Sequence, residues 1–301
     1  MSPPTLFELC VPREDVQRGS IAEADFAADL AQVLRGEAPA DYRDPARFFA
    51  NTHPTHGLKT LLRAVGERLT ASSRQISPIF RLDTQYGGGK THALIALVHA
   101  ARGMPGVANI AEFLPPELVP SGPVRIAAFD GENADPFNGR AMGEGVRAYT
   151  PWGEIAYALA GRPGYERVQR GDEAGVAPGA ETVRELFGGQ PTLILLDELS
   201  VYLRKFQKKA RSLEEAGQQL AAFLTTLFKA VEGTPNATVV YTLAVGRTAG
   251  GQTRASDAYS RENLLIAGFM EEAEKISARK ATLLNPTEED ETVAIRRCKN
   301  S

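Results

Sequence analysis

The chain has 301 residues and a formal net charge of −3, and 43% of its residues are apolar and 24% charged. This composition is typical of a globular protein and gives no general attraction to nucleic acid or to an anionic membrane. Cys10 and Cys298 lie near opposite ends, which favours neither a disulfide framework nor a metal site. No apolar run of about 18 residues and no signal-peptide core is found, so we expect a cytoplasmic protein without membrane contact.

The first 75 residues predict a helical segment that packs on the domain following it. Residues 20–23, Ser-Ile-Ala-Glu, form a capping box, and an apolar helical stripe continues from there to Gly36. A short helix is expected over residues 42–49. A clearer amphipathic helix is expected over residues 57–69, where leucines and a valine recur three and four positions apart.

The turn between those two helices, Asn51 to Thr55, has two interpretations. Either this turn would contact the adenine ring of a bound nucleotide, or it is an ordinary turn between helices. Within it, His53 lies three residues before His56, a spacing found in metal sites. No cysteine or carboxylate stands near this pair, so we do not expect zinc there.

Residues 79–92, Ile-Phe-Arg-Leu-Asp-Thr-Gln-Tyr-Gly-Gly-Gly-Lys-Thr-His, predict a strand, a phosphate-binding loop and the start of a helix over residues 91–102. Glycines let backbone N–H groups turn toward an anion, and the positive end of the helix points at the same place. Lys90 is expected to reach the β- and γ-phosphates, and the Thr91 hydroxyl to bind Mg²⁺. The predicted nucleotide ligands are Gly87, Gly88, Gly89, Lys90, Thr91 and His92.

One position departs from the usual pattern of such a loop, because Thr84 stands where glycine is expected. The alternative interpretation is a glycine-rich turn between strand and helix in which Lys90 has no role. We favour the loop, since the strand, the glycines, the Lys-Thr pair and an apolar helix occur in the required order.

A second predicted strand, residues 123–129, ends in Asp130-Gly131-Glu132-Asn133. Ligands of parallel sheets lie beyond the carboxyl ends of the strands. These four residues therefore either face the γ-phosphate and the water shell of Mg²⁺ or form a simple turn. Helices are expected over residues 151–160 and 181–187, with a charged, glycine-containing connection over residues 165–178.

Residues 192–196 form an uninterrupted apolar run that is followed by Asp197 and Glu198. Such a run suits a central parallel strand that is covered on both faces. Asp197 is then placed to hold Mg²⁺ through its water shell, and Glu198 to orient and deprotonate an attacking water. Together with Lys90, which lies 107 residues earlier (197 minus 90), this pair predicts nucleotide hydrolysis.

A helical region is expected over residues 201–231, interrupted by a basic cluster. This basic cluster consists of Arg204, Lys205, Lys208, Lys209 and Arg211. We favour a solvated face for it over contact with nucleic acid or an acidic partner. Residues 237–245 predict the strand beside the one that ends at Asp197. Thr242, near the end of that strand, either senses the γ-phosphate or the attacking water, or is an ordinary buried threonine.

The following residues predict a polar, glycine-rich loop over 246–260, a helix over 262–276 and a short extended run over 277–284. A capped helix is expected from Thr287 to Ser301. Domains seldom end so soon after a helix begins, so we expect the front part of a longer protein.

Three arginines in this part of the chain are candidates for an arginine finger. They are Arg254, Arg261 and Arg279. Such a residue stabilises the charge of a transferring phosphate, within one chain or across to a neighbouring subunit. Each one taken alone is more often a surface arginine.

Five stretches, residues 6–13, 44–55, 84–92, 129–133 and 193–200, resemble one family. The chain is similar to an uncharacterised family of large bacterial and archaeal AAA-type P-loop ATPases, which resemble the ATPase component of Pgl/BREX phage-exclusion systems. The Thr-Gln-Tyr-Gly-Gly-Gly-Lys-Thr-His form of the loop is the most specific element of the resemblance. On this basis Thr84 is the family's own variant.

The resemblance implies an α/β fold of the P-loop NTPase type, AAA/ASCE-like, with three α/β/α layers and a parallel central sheet. It implies a helical segment over residues 1–75, an ATPase core over 76–285 and the start of a further region over 286–301. Lys90 and Thr91 carry over as phosphate and Mg²⁺ ligands, and Asp197 and Glu198 as the Walker B pair. Members of the family are considerably longer than this chain.

The first hypothesis for function is Mg²⁺-dependent binding and hydrolysis of ATP. Its catalytic set is Glu198, Lys90 and Thr242, with Thr91 and Asp197 at the metal. From the resemblance alone, hydrolysis would drive a conformational or assembly change in a DNA-associated or phage-defence complex. The same source implies a homo-oligomer, DNA-modification or defence proteins as partners, and ATP rather than GTP.

Two other hypotheses remain. The chain could bind nucleotide as an assembly switch without hydrolysing it, since no arginine finger can be assigned. A small-molecule phosphotransferase is less favoured, because the Asp197-Glu198 pair favours water as the acceptor.

Overall fold

The computed structural model describes residues 29–73, 75–83, 89–243, 246–247, 253–254, 261–262, 264–269 and 281–287. Several sequence predictions lie outside the described residues. They are the capping box at 20–23, the loop residues 84–88 with Gly87 and Gly88, Arg279, and the helix expected after Thr287.

Helices precede the sheet, as predicted, but the single helix expected over residues 42–49 is two short helices on either side of Asp44, which caps both. The helices before the sheet are α1 (Leu30–Arg35), α2 (Ala40–Arg43), α3 (Pro45–Asn51) and α4 (His56–Leu69). The side chains of Asp29, Asp44 and Thr55 accept hydrogen bonds from backbone N–H groups in the first turns of α1, α3 and α4. α1 ends at Gly36, whose φ of 75° lies in the left-handed region that glycine adopts without strain.

The strands are numbered along the described chain. They are β1 (Ile79–Asp83), β2 (Arg125–Asp130), β3 (Arg140–Gly143), β4 (Val146–Ala148), β5 (Thr192–Asp197), β6 (Ala237–Leu243), β7 (Gly246–Arg247), β8 (Thr253–Arg254) and β9 (Thr282–Leu284). Five of them form one sheet in the order β2-β5-β6-β1-β9, and every pair of adjacent strands in this sheet is parallel. The structure thus confirms the predicted α/β fold with a parallel central sheet, and it confirms β6 beside β5.

The other helices of the described residues lie between and after these strands. They are α5 (Lys90–Ala101), α6 (Ile110–Phe113), α7 (Pro151–Glu166), α8 (Gln169–Ala174), α9 (Ala180–Phe187), α10 (Leu199–Phe206) and α11 (Leu213–Glu232), with a 3₁₀ turn at Pro116–Leu118. Residues 261–262 and 264–269 are also helical. The predicted helical region over 201–231 is therefore two helices, separated at residues 207–212 within the basic cluster.

The apolar residues of the sheet alternate between two cores. Ile194 and Leu196 belong to the core formed with α7, α9, α10 and α11. Leu193 and Leu195 belong to the core formed with α1, α3, α4 and α5. Because successive side chains of a strand point to opposite faces, the sheet has helices on both faces, and every residue of β5 is buried.

The predicted connection over residues 165–178 is wrong in its first part. α7 continues to Glu166 through a kink at Gly161, and α8 follows it. The buried carboxylate of Asp172 in α8 accepts hydrogen bonds from the backbone N–H of Tyr149, at 3.2 and 3.0 Å. Charged residues and glycines predict a loop here, whereas these contacts with the chain before α7 hold a helix.

Two antiparallel hairpins go beyond the sequence prediction. β3 pairs with β4, and β7 pairs with β8 inside the stretch predicted as a loop over residues 246–260. Strands of two to four residues carry too little alternation to be recognised in a sequence. The extended run expected over residues 277–284 contains β9, which pairs with β1.

Among the described helices, none combines the length and the hydrophobicity that a bilayer span requires.

Candidate functional site

The carboxylate of Asp197 is the centre of a polar site at the carboxyl edge of the sheet. Its Oδ2 accepts a hydrogen bond from the hydroxyl of Thr91 at 2.8 Å, and its Oδ1 accepts one from the hydroxyl of Thr242 at 2.6 Å. The backbone N–H of Glu198 also donates to Oδ1, at 3.1 Å. Three distant parts of the sequence therefore meet at one side chain.

The sheet explains why these residues meet. β5 lies beside β6, and β6 lies beside β1, whose carboxyl end leads toward α5. Leu82 of β1 is opposite Thr242 of β6, so both strands end at the same level as Asp197. Because all these strands run in parallel, their polar ends share one edge, where ligands of parallel sheets bind.

The first turn of α5 carries the Lys-Thr pair. Gly89 is the N-cap of α5, and its φ of 68° is in the left-handed region, which explains glycine immediately before the lysine. Lys90 is 8% exposed, and its charge lowers the pKa of Glu198 against the larger effect of burial. An ammonium group and the N–H end of a twelve-residue helix are thus beside the carboxylates.

Glu198 has an unusual backbone and an unusual acidity. Its φ of 51° lies in the left-handed region, a conformation that costs a non-glycine residue on the order of 1–3 kcal/mol and that clusters at functional sites. Burial and, to a smaller extent, the charge of Asp197 raise the pKa of its carboxyl from 4.5 to about 7, against the opposing effect of Lys90. A carboxyl group with this pKa can accept a proton near neutral pH.

The loop after β2 forms another wall of the site. Asp130 is opposite Asp197 in the sheet, and its carboxylate accepts hydrogen bonds from the N–H of Glu132 at 2.9 Å and from the side-chain amide of Asn133 at 2.6 Å. Burial raises the pKa of Asp130, and these hydrogen bonds oppose that rise. The loop is a turn with polar residues that line the site, and contact of residues 130–133 with a γ-phosphate or the water shell of Mg²⁺ stays a prediction.

A cavity of about 800 Å³ opens over Asp197, a size typical of small-molecule sites. Its described lining is rich in carboxylates and contains one cationic side chain. The charged lining residues are Asp29, Glu37, Arg43, Asp130, Glu132, Asp197 and Glu198. Such a wall repels an anion unless Lys90 and a bound cation offset its charge.

The donor set beside Asp197 suits a hard cation. A hydroxyl and a carboxylate are oxygen ligands, which Mg²⁺ prefers, and Mg²⁺ commonly takes one or two carboxylates with water and phosphate oxygens. The described residues contain no group of three or more His, Cys, Asp or Glu arranged to hold a metal by themselves. A metal here would therefore need further ligands, such as water or phosphate oxygens, and the pair His53 and His56 belongs to no such group.

His92 has contacts away from this cavity. Its ring stacks on Phe48 with centroids 4.4 Å apart, and its Nε2 is 2.9 Å from the hydroxyl of Thr52. Burial and the neighbouring His99 lower the pKa of His92. The ring therefore joins the first turn of α5 to α3 and to the 51–55 turn, which is a turn between helices.

Three members of the basic cluster are engaged within the chain. The guanidinium of Arg204 donates to both carboxylate oxygens of Glu262, at 2.7 and 2.8 Å. Lys209 lies over the ring of Tyr149 at 4.7 Å from its centroid, and Lys205 donates to backbone carbonyls of the loop after β2. Contacts inside the chain, more than solvation, therefore account for these residues.

The candidate arginine fingers are not among the described residues lining the cavity. Arg254 lies in β8, and Arg261 is an exposed residue of the helical stretch 261–262. The lining residues Asp29, Glu37 and Arg43, which lie in or beside the helices α1 and α2, were not predicted from the sequence. No local pattern marks them, because only the packing of α1 and α2 brings them to the cavity.

The fold and the site define an α/β protein with a parallel sheet and a polar, carboxylate-lined cavity at its carboxyl edge. The family model of the DUF499 N-terminal domain matches residues 7–113 and 119–280. The chain therefore belongs to the DUF499 family, which is uncharacterised. No curated protein and no solved structure matches the chain. The family match carries no activity, so the likeness to AAA-type and phage-exclusion ATPases stays a resemblance.

Proposed function

We propose that this protein is a P-loop NTPase that binds and hydrolyses ATP with Mg²⁺. The observation that carries the proposal is the shared carboxylate of Asp197, which binds the hydroxyls of Thr91 and Thr242 at 2.8 and 2.6 Å. The sequence motifs predict each of these three residues separately for one site. Their convergence would be unexpected if the glycine run were only a turn.

The residues present fit both ATP and the metal. Lys90 and the N-terminus of α5 supply the positive charge that phosphates require, and Thr91 and Asp197 supply oxygen ligands for Mg²⁺. When bound, Mg²⁺ would neutralise charge on the phosphate oxygens during the reaction. Gly87 and Gly88, outside the described residues, are part of the proposed phosphate loop.

Glu198 is the proposed general base. It follows Asp197 directly in the sequence and lines the cavity. Because its carboxyl has a pKa of about 7, a substantial fraction of the molecules have Glu198 ionised, and so able to accept a proton, at neutral pH. Thr242 is buried and holds the other oxygen of Asp197, which fixes the carboxylate plane. In this proposal Thr242 orients the Walker B carboxylate in addition to any contact with the γ-phosphate.

The purpose of hydrolysis is proposed from the resemblance alone. It is a conformational or assembly change in a DNA-associated or phage-defence complex, with AAA-like assembly into a homo-oligomer. An arginine of a neighbouring subunit would then complete the site, since Arg43 is the one arginine among the described residues lining the cavity.

The presence of only Arg43 as an arginine among the described lining residues also favours a second candidate function. A nucleotide-binding switch without turnover needs the phosphate loop and the metal ligands but no arginine finger. It predicts tight binding of ATP without phosphate release at any protein concentration.

Phosphate release from Mg²⁺-ATP, measured over a range of protein concentrations with and without DNA, tests both functions. Lys90→Ala should abolish ATP binding, and Glu198→Gln should preserve binding while slowing release by roughly 10²- to 10⁴-fold. Exposed residues supply matched controls, Lys59→Ala in α4 and Glu214→Gln in α11, and both should behave as wild type.

The outcomes separate the two functions. Turnover that needs both residues supports the ATPase, and a steep dependence on protein concentration supports sites completed between subunits. Binding without turnover in the wild-type chain supports the switch. Turnover unchanged by Glu198→Gln would refute the general base, and ATP binding unchanged by Lys90→Ala would refute the phosphate loop.

A further inference from the structure

Lys205 of the basic cluster is bound to the loop that follows β2. Its Nζ donates to the carbonyl oxygens of Gly131 at 3.3 Å and Ala134 at 3.1 Å, and also to that of Glu132. A lysine ammonium has three donors, so one side chain serves three carbonyls of a four-residue stretch. Residues 131–134 are thereby tied to α10, the helix that contains Lys205.

The same loop touches the backbone of Glu198. The N–H of Gly131 donates to the carbonyl oxygen of Asp197 at 3.0 Å, and a Cβ atom on Gly131 would overlap the carbonyl oxygen of Glu198. That oxygen also accepts hydrogen bonds from the N–H groups of Val201 and Tyr202 in the first turn of α10. Gly131 and α10 together therefore confine the Glu198 backbone.

This confinement explains how Glu198 keeps its left-handed backbone. A non-glycine residue remains in that region only where its surroundings hold it there. Lys205 lies in α10, seven positions after its N-cap residue Glu198, and reaches back to the loop that packs on Glu198. Lys205, the loop at residues 131–134 and α10 thus contact one another, and both the loop and α10 contact the backbone of Glu198.

We propose that Lys205 is a positioning residue for Glu198. By holding residues 131–134 against the Glu198 backbone, Lys205 keeps the carboxylate where it can orient the attacking water. The predicted effect of Lys205 on kcat rests on the proposed ATPase function, whereas its predicted effect on the structure around Glu198 does not. Lys205 is not among the described residues lining the cavity, so its effect is on Glu198 and not on the nucleotide.

Two substitutions of Lys205 and one matched control test the proposal. Lys205→Met removes the three donors, Lys205→Arg retains donors to carbonyls, and Lys208→Met removes a lysine of the same cluster that is exposed. Lys205→Met should lower kcat by roughly 10- to 100-fold, because small displacements of a catalytic group cost rates of this order. KM for ATP and the Kd for a fluorescent ATP analogue should stay within about twofold.

Hydrogen exchange provides a readout that does not depend on turnover. Peptides covering residues 131–134 and 197–202 should exchange faster in Lys205→Met than in wild type and in Lys208→Met. Lys205→Arg should recover part of both kcat and protection. Gly131→Ala, which leaves every charge in place, should give the same loss of kcat with unchanged ATP binding.

The results distinguish this inference from the proposed function. An active wild-type chain whose kcat changes by less than about twofold in Lys205→Met would overturn the positioning role, as would an equal loss in Lys208→Met. A wild-type chain without turnover would refute the proposed ATPase function. Hydrogen exchange alone would then test whether Lys205 positions Glu198. Unchanged exchange over residues 197–202 in Lys205→Met would overturn the inference, and a selective increase would support it.

Discussion

Glu154 provides a test of the physical reasoning that is independent of function. It lies in the first turn of α7, where it is 2% exposed. Its Oε2 accepts a hydrogen bond from the guanidinium of Arg140 at 2.7 Å. Burial raises the pKa of Glu154 from 4.5 to about 7, although Arg140 lowers it. The cost of removing the carboxylate from water therefore exceeds the attraction of its partner.

The sign and size of the effect on stability follow from this pKa. Between pH 4.5 and about 7, Glu154 is protonated in the folded chain and ionised in the unfolded chain. Its contribution to stability is therefore complete below pH 4.5 and is lost as the pH rises through about 7. At about 1.36 kcal/mol per pKa unit, the rise from 4.5 to about 7 corresponds to at most about 3 kcal/mol.

Glu154→Gln isolates this contribution, because glutamine keeps the size of the side chain and does not titrate. Urea unfolding at pH 5 and pH 8 should show that wild type loses about 2–3 kcal/mol more than Glu154→Gln between these pH values. Trp152 is the single tryptophan and is 1% exposed, so its fluorescence reports unfolding beside the substituted residue. Circular dichroism should give the same transition if unfolding is two-state.

Glu166→Gln is the matched control, since Glu166 lies at the end of the same helix with a side chain 54% exposed. Its pH dependence should match that of wild type. A difference between wild type and Glu154→Gln below about 0.5 kcal/mol, or one of opposite sign, would show that the ion pair with Arg140 outweighs burial, contrary to the reasoning.

Two further substitutions, with one control, test a close backbone contact of α4 and a hydrogen bond within the site. A Cβ atom on Gly57 would overlap the carbonyl oxygen of Asn285, so Gly57→Ala should lower the free energy of unfolding by about 1–3 kcal/mol in urea titrations. Gly122→Ala, where the Cβ would meet no atom within 4 Å, should change it little, and equal effects would contradict this account. Thr242→Val removes the hydroxyl that donates to Asp197, so phosphate release should slow by about tenfold or more while ATP binding persists. Unchanged release by Thr242→Val would show that this hydrogen bond does not orient the Asp197 carboxylate.

Much of the fold could be predicted because its strongest elements have clear local patterns. The run Leu193–Leu196 is apolar throughout, and a strand buried on both faces needs that composition. The spacing of apolar residues likewise predicts α4 and the later part of α11. The hairpins β3–β4 and β7–β8 could not be predicted because their strands are too short to show alternation, and α8 could not because its contact with Tyr149 lies outside its own local pattern.

The candidate site shows the same division. Lys90, Thr91, Asp197 and Glu198 are recognisable as candidates because phosphate and Mg²⁺ chemistry in other proteins requires these residue types at the end of a strand or the start of a helix. Lys205 belongs to a basic cluster whose pattern favours a solvated face. Its three backbone contacts depend on where α10 lies against the loop after β2.

The sequence by itself predicted the main helices and strands, the parallel sheet and the residues proposed for phosphate and metal chemistry, because residue types and their spacing within about 15 neighbouring residues carry these signals. Only the tertiary structure decided that β6 lies between β5 and β1, and so that Thr91 and Thr242 meet on the Asp197 carboxylate. It also decided which acids are buried enough for a raised pKa, as in Glu154 and Glu198. The physical reason is that strand order, burial and charge pairing arise from contacts between residues far apart in the chain, which local patterns do not encode.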